Sequence, residues 1–168
     1  VLVLRRLLRK LRAAWPDVAV ELRADSGFAI PRLDAWCEAN AVAYTIGLIP
    51  NPVLERLAAP LLATARARSV EQGGAKVRLA GEAPYQAGSW PHARRVVFKA
   101  EILLKGPNTR FVVTARADAP LAVYDHYVDR GEAENRIKDF KNALRGDRLS
   151  DHCFWPNAFR LLLHAAAY

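Results

Sequence analysis

The chain has 168 residues, of which 52% are hydrophobic and 25% are charged, and its formal net charge is +8. This length fits one domain with a sizeable core, and the composition excludes an intrinsically disordered protein. The excess of Lys and Arg favours a polyanionic partner, above all nucleic acid, although an Arg-rich composition alone would give the same charge.

The first predicted element is an amphipathic helix that ends near Pro16. Its apolar residues recur at helical spacing from Leu2 to Ala14, and five basic residues lie between them. These charges exclude a signal peptide or a membrane span, so we expect a cytoplasmic protein with no membrane partner. Because the chain starts at Val1 and contains no Met, we also expect an N-terminally truncated fragment.

A β-α-β unit follows this helix. Residues 17–25 alternate apolar and polar side chains as a strand does, and Asp25 stands at the carboxyl end of that strand. Pro31 opens a predicted helix over residues 31–40. Residues 41–49 have the continuous apolar character of a buried strand.

The middle of the chain changes from helical to extended character. Residues 53–68 predict a helix rich in Leu and Ala, and residues 76–116 form three β-rich runs separated by turn residues. We interpret this region as a small antiparallel β insertion.

Basic residues of the predicted insertion outnumber acidic ones. Residues 92–116 contain six Lys or Arg against Glu101, which predicts that one face follows a DNA backbone, with Arg94 and Arg95 as phosphate contacts. Ordinary solvated strand residues are the alternative. The two cysteines, Cys37 and Cys153, lack metal-site spacing, so we expect small buried hydrophobic residues.

Helical periodicity returns over residues 121–145, and Pro156 opens a last helix. At about 100° per residue, four polar residues share one stripe of the long helix, beside an apolar face that runs from Ala133 to Leu144. The stripe consists of Tyr127, Arg130, Glu134 and Lys141.

The position of this stripe, at the border of the predicted core, suits a phosphate and metal site. Glu134 can bind a hard divalent cation, Arg130 and Lys141 can hold phosphate oxygens, and Tyr127 can donate a hydrogen bond. An ordinary helix with Glu and Lys pairs is the alternative.

The spacing of the stripe, Y-(2)-R-(3)-E-(6)-K, resembles the signature around the last catalytic glutamate of bacterial insertion-sequence DDE transposases. Residues 23–29, RADSGFA, resemble the strand of the same family that ends in its second catalytic aspartate, here Asp25. The resemblance spans nearly the whole chain. It implies a mixed α/β ribonuclease-H-like fold, in which Asp25 and Glu134 are catalytic metal ligands.

The implied reaction is DNA cleavage and strand transfer, with two Mg²⁺ (or Mn²⁺) ions roughly 4 Å apart and an in-line attack at phosphorus. The implied partners are the double-stranded DNA of the transposon ends and the target, bound by a homo-oligomer. In some relatives a tryptophan of the insertion stacks on a DNA base, and Trp90 is a candidate for this role. Packing of the Trp90 side chain within the protein is the favoured interpretation.

The resemblance also divides the chain. Residues 1–49 match part of the ribonuclease-H-like core, residues 50–118 the β-rich insertion, and residues 119–168 the last core helix with a following helix. The family's first aspartate lies upstream of these elements, so we expect the chain alone to lack one ligand and to be inactive.

Two other functions remain open at this point. A ribonuclease-H-like nuclease would cut nucleic acid without joining it. A noncatalytic DNA-binding remnant of a decayed transposase would bind DNA without reacting.

Arg23, two residues before Asp25, would orient that carboxylate, bind phosphate or lie solvated, and His126 reads as a surface or packing histidine.

Overall fold

Five strands and six α-helices make up the computed structural model, which describes all residues 1–168. In chain order they are α1 (Leu2–Ala14), β1 (Glu21–Ala24), α2 (Pro31–Ala39), β2 (Ala43–Leu48), α3 (Pro52–Glu71), β3 (Val77–Tyr85), β4 (Arg94–Leu103), β5 (Gly106–Thr114), α4 (Pro120–Val128), α5 (Arg130–Asn142) and α6 (Phe154–Ala167). The chain divides into two compact units, Val1–Tyr127 and Val128–Tyr168. None of the helices combines the length and the hydropathy that crossing a membrane requires.

Local signals explain where α2 and α3 begin. Pro31 and Pro52 each occupy the start of a helix, where the fixed φ of proline suits the helical backbone and no amide donor is needed. The Asn51 side chain accepts hydrogen bonds from the backbone amides of Val53 and Leu54, each at 3.0 Å. Such an N-cap stabilises a helix by about 1 kcal/mol.

All five strands belong to one sheet in the order β1-β2-β5-β4-β3. Strands β1 and β2 are parallel, as a β-α-β unit requires, and every other neighbouring pair is antiparallel. The predicted antiparallel β region is therefore confirmed. Its last strand pairs with β2, Thr45 opposite Thr114, so these strands extend the sheet of the β-α-β unit.

One face of the sheet carries the main hydrophobic core. Buried side chains from β2, β4 and β5 meet buried residues of the three N-terminal helices, including Leu8 of α1, Leu33 of α2 and Leu54 of α3. Each such side chain contributes roughly 1.5–3 kcal/mol when it is fully buried. Helices α1, α2 and α3 thus cover this face.

The opposite face is more polar and packs against α4. Val97 and Val112 of the sheet form a small buried cluster with Val123 and Tyr124 of α4, and Tyr127 packs against that cluster. Polar residues of β1, β2 and β5 surround the apolar contact. The mixed α/β class that the sequence predicted is confirmed.

The single helix predicted over residues 121–145 is wrong, because the structure has two helices there. Asp129 separates α4 from α5. The amide of Glu132 donates a hydrogen bond to the carbonyl of Asp129 at 3.1 Å, and this i→i+3 pattern, typical of a 3₁₀ turn, tightens the backbone there. No residue of α5 is buried, and Ile137 is 54% exposed. The predicted apolar face of this helix is therefore not core.

The two cysteines have different surroundings. Cys37 is fully buried in the main core, as predicted, and burial raises the pKa of its thiol to about 11. Cys153 is exposed just before α6, so the prediction that it is buried is wrong. Both are free thiols.

Candidate functional site at the carboxyl end of the first strand

Asp25 lies directly after β1, at the carboxyl end of the parallel strand pair. Its Oδ1 accepts a hydrogen bond from the backbone amide of Gly27 at 2.9 Å, which starts the short 3₁₀ turn Ser26–Phe28. A Cβ added at Gly27 would lie 3.1 Å from the same oxygen. The turn therefore fixes an exposed carboxylate at the edge of the sheet.

Tyr127 lies over the neighbouring strand, close to this turn. A Cβ added at Gly47 of β2 would lie 2.5 Å from the Tyr127 hydroxyl and 3.1 Å from the backbone amide nitrogen of Ser26. Both atoms therefore border the space above Gly47. This space is open only because glycine has no side chain. The structure brings Tyr127 and the Asp25 turn together within the first unit.

Strand alternation directs two further residues of β1 toward α4. Arg23 Nη1 donates to the backbone carbonyl of His126 at 2.6 Å, and Glu21 Oε1 lies 3.1 Å from His126 Nε2. Glu21 also accepts a hydrogen bond from Arg116 Nη1 at 2.7 Å. These contacts attach the last turn of α4, and with it Tyr127, to the strand that ends in Asp25.

Sequence reasoning missed most of this network. It left the role of Arg23 open and interpreted His126 as a surface or packing histidine, whereas both residues connect β1 with α4. The sequence gives no prediction for Glu21, and it counts Arg116 only among the basic residues of the insertion. The available signal was the alternation of Glu21, Arg23 and Asp25 along one strand, which places three polar side chains on one face.

Glu134 lies on α5 in the second unit, with its side chain 52% exposed. Arg130 Nη1 donates to Glu134 Oε1 at 2.6 Å, one helical turn away. The structure therefore brings Arg130 and Glu134 together as the sequence spacing requires. Lys141 lies near the end of the same helix and is exposed.

Arg94 is buried inside the first unit. Its Nε and Nη2 donate to Glu38 at 2.6 and 2.9 Å, its guanidinium lies 5.0 Å from the centre of the Trp90 ring, and its side chain is 2% exposed. Hydrogen bonds from Arg94 hold the pKa of Glu38 below its usual value. Phosphate binding by Arg94 stays a prediction that this burial does not support.

Trp90 is also a packing residue in this arrangement. Its ring is in edge-to-face contact with Tyr85 at 5.5 Å between centroids, and the residue is 7% exposed. The interpretation favoured from the sequence agrees with these contacts.

Other basic residues of the insertion are also paired within the chain. Arg95 donates to Glu82, Lys99 Nζ lies 2.6 Å from Glu101, and Arg116 bonds Asp118 as well as Glu21. The expected DNA-facing row of cations is thus largely neutralised by carboxylates. Phosphate binding by Arg95 stays a prediction, and in this arrangement it requires exchange of an internal partner.

Asp34 of α2 is a buried carboxylate close to the Arg94 and Glu38 pair. It is 0% exposed, and neither oxygen has a hydrogen-bond partner. Burial raises the pKa of Asp34 to about 6, with Arg94 opposing that rise. The side chain lies in the core and does not take part in the Asp25 site.

The donor chemistry of Asp25 and Glu134 fits a hard divalent cation. Both supply exposed carboxylate oxygens, which are the ligands that Mg²⁺ and Mn²⁺ prefer. No group of three His, Cys, Asp or Glu residues that could hold a metal ion occurs in the structure. The chain therefore offers suitable single ligands without a three-ligand cluster of its own.

A family model described as "Transposase DDE domain group 1" matches residues 1–168. No curated protein and no solved structure matches the chain.

Proposed function

The chain belongs to the transposase DDE domain group 1 family, and on this basis we propose that it serves metal-dependent DNA cleavage and strand transfer in the transposition of an insertion sequence. Family membership makes its function transposase-type and its fold ribonuclease-H-like, in agreement with the mixed sheet.

The observation that carries the proposal is the arrangement of Asp25 and Tyr127. An exposed carboxylate stands at the carboxyl end of a parallel strand, and a tyrosine hydroxyl lies above Gly47 of the adjacent strand. Ligands of open α/β sheets bind at this edge of the sheet. A carboxylate and a hydrogen-bond donor at one edge suit a metal-bound phosphodiester.

We assign each residue one role. Asp25 and Glu134 hold Mg²⁺ or Mn²⁺ through carboxylate oxygens, and Tyr127 donates a hydrogen bond to a phosphate oxygen. Arg130 and Lys141 supply positive charge for the scissile phosphate. When bound, the metal activates a water or a DNA 3′-hydroxyl and stabilises the leaving oxygen.

The ion pair between Arg130 and Glu134 adds a testable detail. In the structure Arg130 Nη1 donates a hydrogen bond to Glu134 Oε1 at 2.6 Å. A cation held by Glu134 would compete with Arg130 for this carboxylate and would make the guanidinium more available to phosphate. We therefore expect Arg130→Gln to weaken DNA binding more in the presence of Mg²⁺ than in its absence.

Noncatalytic DNA binding is a second candidate function, because the net charge of +8 suits a DNA partner whether or not a reaction follows. A nuclease of the same fold is a third, which the Tyr127, Arg130, Glu134 and Lys141 pattern disfavours.

One assay separates the three functions. The full-length protein, with any residues that precede Val1, is incubated with Mg²⁺ or Mn²⁺, a labelled linear duplex that carries a transposon end, and a supercoiled target plasmid. Labelled 3′ ends joined to plasmid support the transposase, nicked products without joining support the nuclease, and binding without either product supports the noncatalytic protein. Only joined products agree with our proposal.

A further inference from the structure

The net positive charge is concentrated in α1. Five of the 25 basic residues and none of the 17 acidic residues lie in this helix, Leu2–Ala14. The helix therefore supplies +5 of the net charge of +8.

The basic residues of α1 lie opposite its apolar face. Leu8 is buried in the main core, and Leu4 packs against that core with Val20 and Leu22 of the β1 region. Arg5, Arg6, Arg9 and Lys10 are all exposed. At about 100° per residue they occupy the side of the helix that faces away from Leu4 and Leu8.

These four cations differ from the basic residues of the sheet. None of the ten ion pairs in the structure involves a residue of α1. Arg12 is the one basic residue of the helix that bonds within the chain, to the backbone carbonyl of Asn40 at 2.7 Å. The exposed face of α1 thus carries cations that no carboxylate neutralises.

We propose that this face of α1, formed by Arg5, Arg6, Arg9 and Lys10, binds the phosphate backbone of duplex DNA. Residues 5 to 10 span about 7 Å along the helix axis, and DNA carries one negative charge for about every 1.7 Å of its axis. Long side chains on this face therefore meet several phosphates at once. The contact reads no base, so it is independent of sequence.

The choice of DNA rests on the proposed function, while the surface itself rests on the structure. An anionic membrane is the main competing partner of a basic amphipathic helix. In this fold, however, Leu4 and Leu8 already pack on the protein core, and membrane insertion would need those contacts to break. Phosphate contact needs no rearrangement of the helix.

The test compares two sets of charge removals. Binding to a fluorescent random-sequence 30-base-pair duplex is measured by anisotropy in EDTA over a range of salt concentrations. The first variant carries Arg5→Gln, Arg6→Gln, Arg9→Gln and Lys10→Gln. The control carries Arg56→Gln, Arg66→Gln, Arg68→Gln and Arg148→Gln, which removes the same charge from exposed residues elsewhere. Glutamine preserves helix propensity, and circular dichroism checks that both variants fold.

Counterion release predicts the size of the effect. Each lost phosphate contact lowers the slope of log K against log salt by about 0.9. We expect the α1 variant to lose about 3 to 4 units of slope and to bind at least about 10-fold more weakly at 0.1 M salt. The control should change the slope by less than about 1 unit.

Three results would overturn the inference. Equal losses of DNA affinity in the two variants would indicate a general effect of charge. Unchanged DNA binding by the α1 variant would show that α1 is not part of the interface. Tighter binding to phosphatidylserine vesicles than to duplex, lost in the α1 variant, would identify a membrane surface. If the wild-type protein binds no duplex, the proposed function itself fails, whereas the first two results leave it intact.

Discussion

Asp34→Asn should remove a pH-dependent loss of stability from the first unit. The Asp34 carboxyl is fully buried without a hydrogen-bond partner, and burial raises its pKa from 3.8 to about 6. Above pH 6 the folded protein must therefore hold an ionised carboxylate that water would solvate far better in the unfolded chain.

The sign and size of the effect follow from this difference. Below pH 3.8 both states bind the proton, and Asp34 contributes no pH dependence. Between the two pKa values the folded state retains a proton that the unfolded state has lost, so stability falls as pH rises. A shift of about 2 units corresponds to about 3 kcal/mol lost by pH 7.5.

Urea denaturation followed by tryptophan fluorescence measures this loss, since Trp36 and Trp90 lie in or against the main core. The free energy of unfolding is compared for the wild type and Asp34→Asn from pH 4 to pH 7.5. We expect the variant to gain about 2.5 kcal/mol on the wild type across this range, because at pH 4 the unfolded carboxyl is already partly ionised. Parallel profiles would refute the reasoning, because other titrating groups are common to both proteins.

Three further changes test the surroundings of the site. Gly47→Ala places a Cβ 2.5 Å from the Tyr127 hydroxyl and should cost about 1–3 kcal/mol of stability in thermal denaturation. Adding Tyr127→Phe to this variant should largely remove the loss, and an undiminished loss would show that the clash lies elsewhere. Arg23→Gln loses the hydrogen bond to the carbonyl of His126, so it should lower the free energy of unfolding by about 1 kcal/mol and speed amide hydrogen exchange in the last turn of α4. Unchanged exchange would show that this contact does not hold the helix. Burial alone would raise the pKa of Glu101, but hydrogen bonds from two lysines lower it to about 2, so its stabilisation is present above pH 4.5 and lost as pH falls toward 2. The free-energy advantage of the wild type over Glu101→Gln should therefore shrink by roughly 2–3 kcal/mol in that range, and a constant advantage would contradict the pairing.

Local periodicity predicted the elements of the first unit well. The helix before Pro16, the strand that ends at Asp25 and the helix that starts at Pro31 all occur. These elements follow from alternation, helical spacing and proline position, which are properties of neighbouring residues. The pairing of β5 with β2 joins residues nearly 70 positions apart, Thr45 and Thr114, and no local pattern encodes it.

The candidate site was predictable only in part. The spacing of Arg130 and Glu134 allowed their contact, and the strand pattern placed Asp25 at the end of β1. Counting charges does not reveal which cations are paired within the chain: Arg94 meets its carboxylate partner, Glu38, 56 residues away. Such long-range neutralisation depends on the tertiary fold.

Strand transfer by Asp25→Ala tests the central claim most directly. The full-length wild-type protein, with any residues that precede Val1, and its Asp25→Ala variant are compared for metal-dependent joining of a labelled transposon 3′ end to plasmid DNA, after circular dichroism shows that both fold. Asp25 is exposed and caps only a short turn, so the substitution should leave folding intact. We predict that joining by Asp25→Ala falls to background with either Mg²⁺ or Mn²⁺. Joining at the wild-type level would contradict the assignment of Asp25 as a metal ligand.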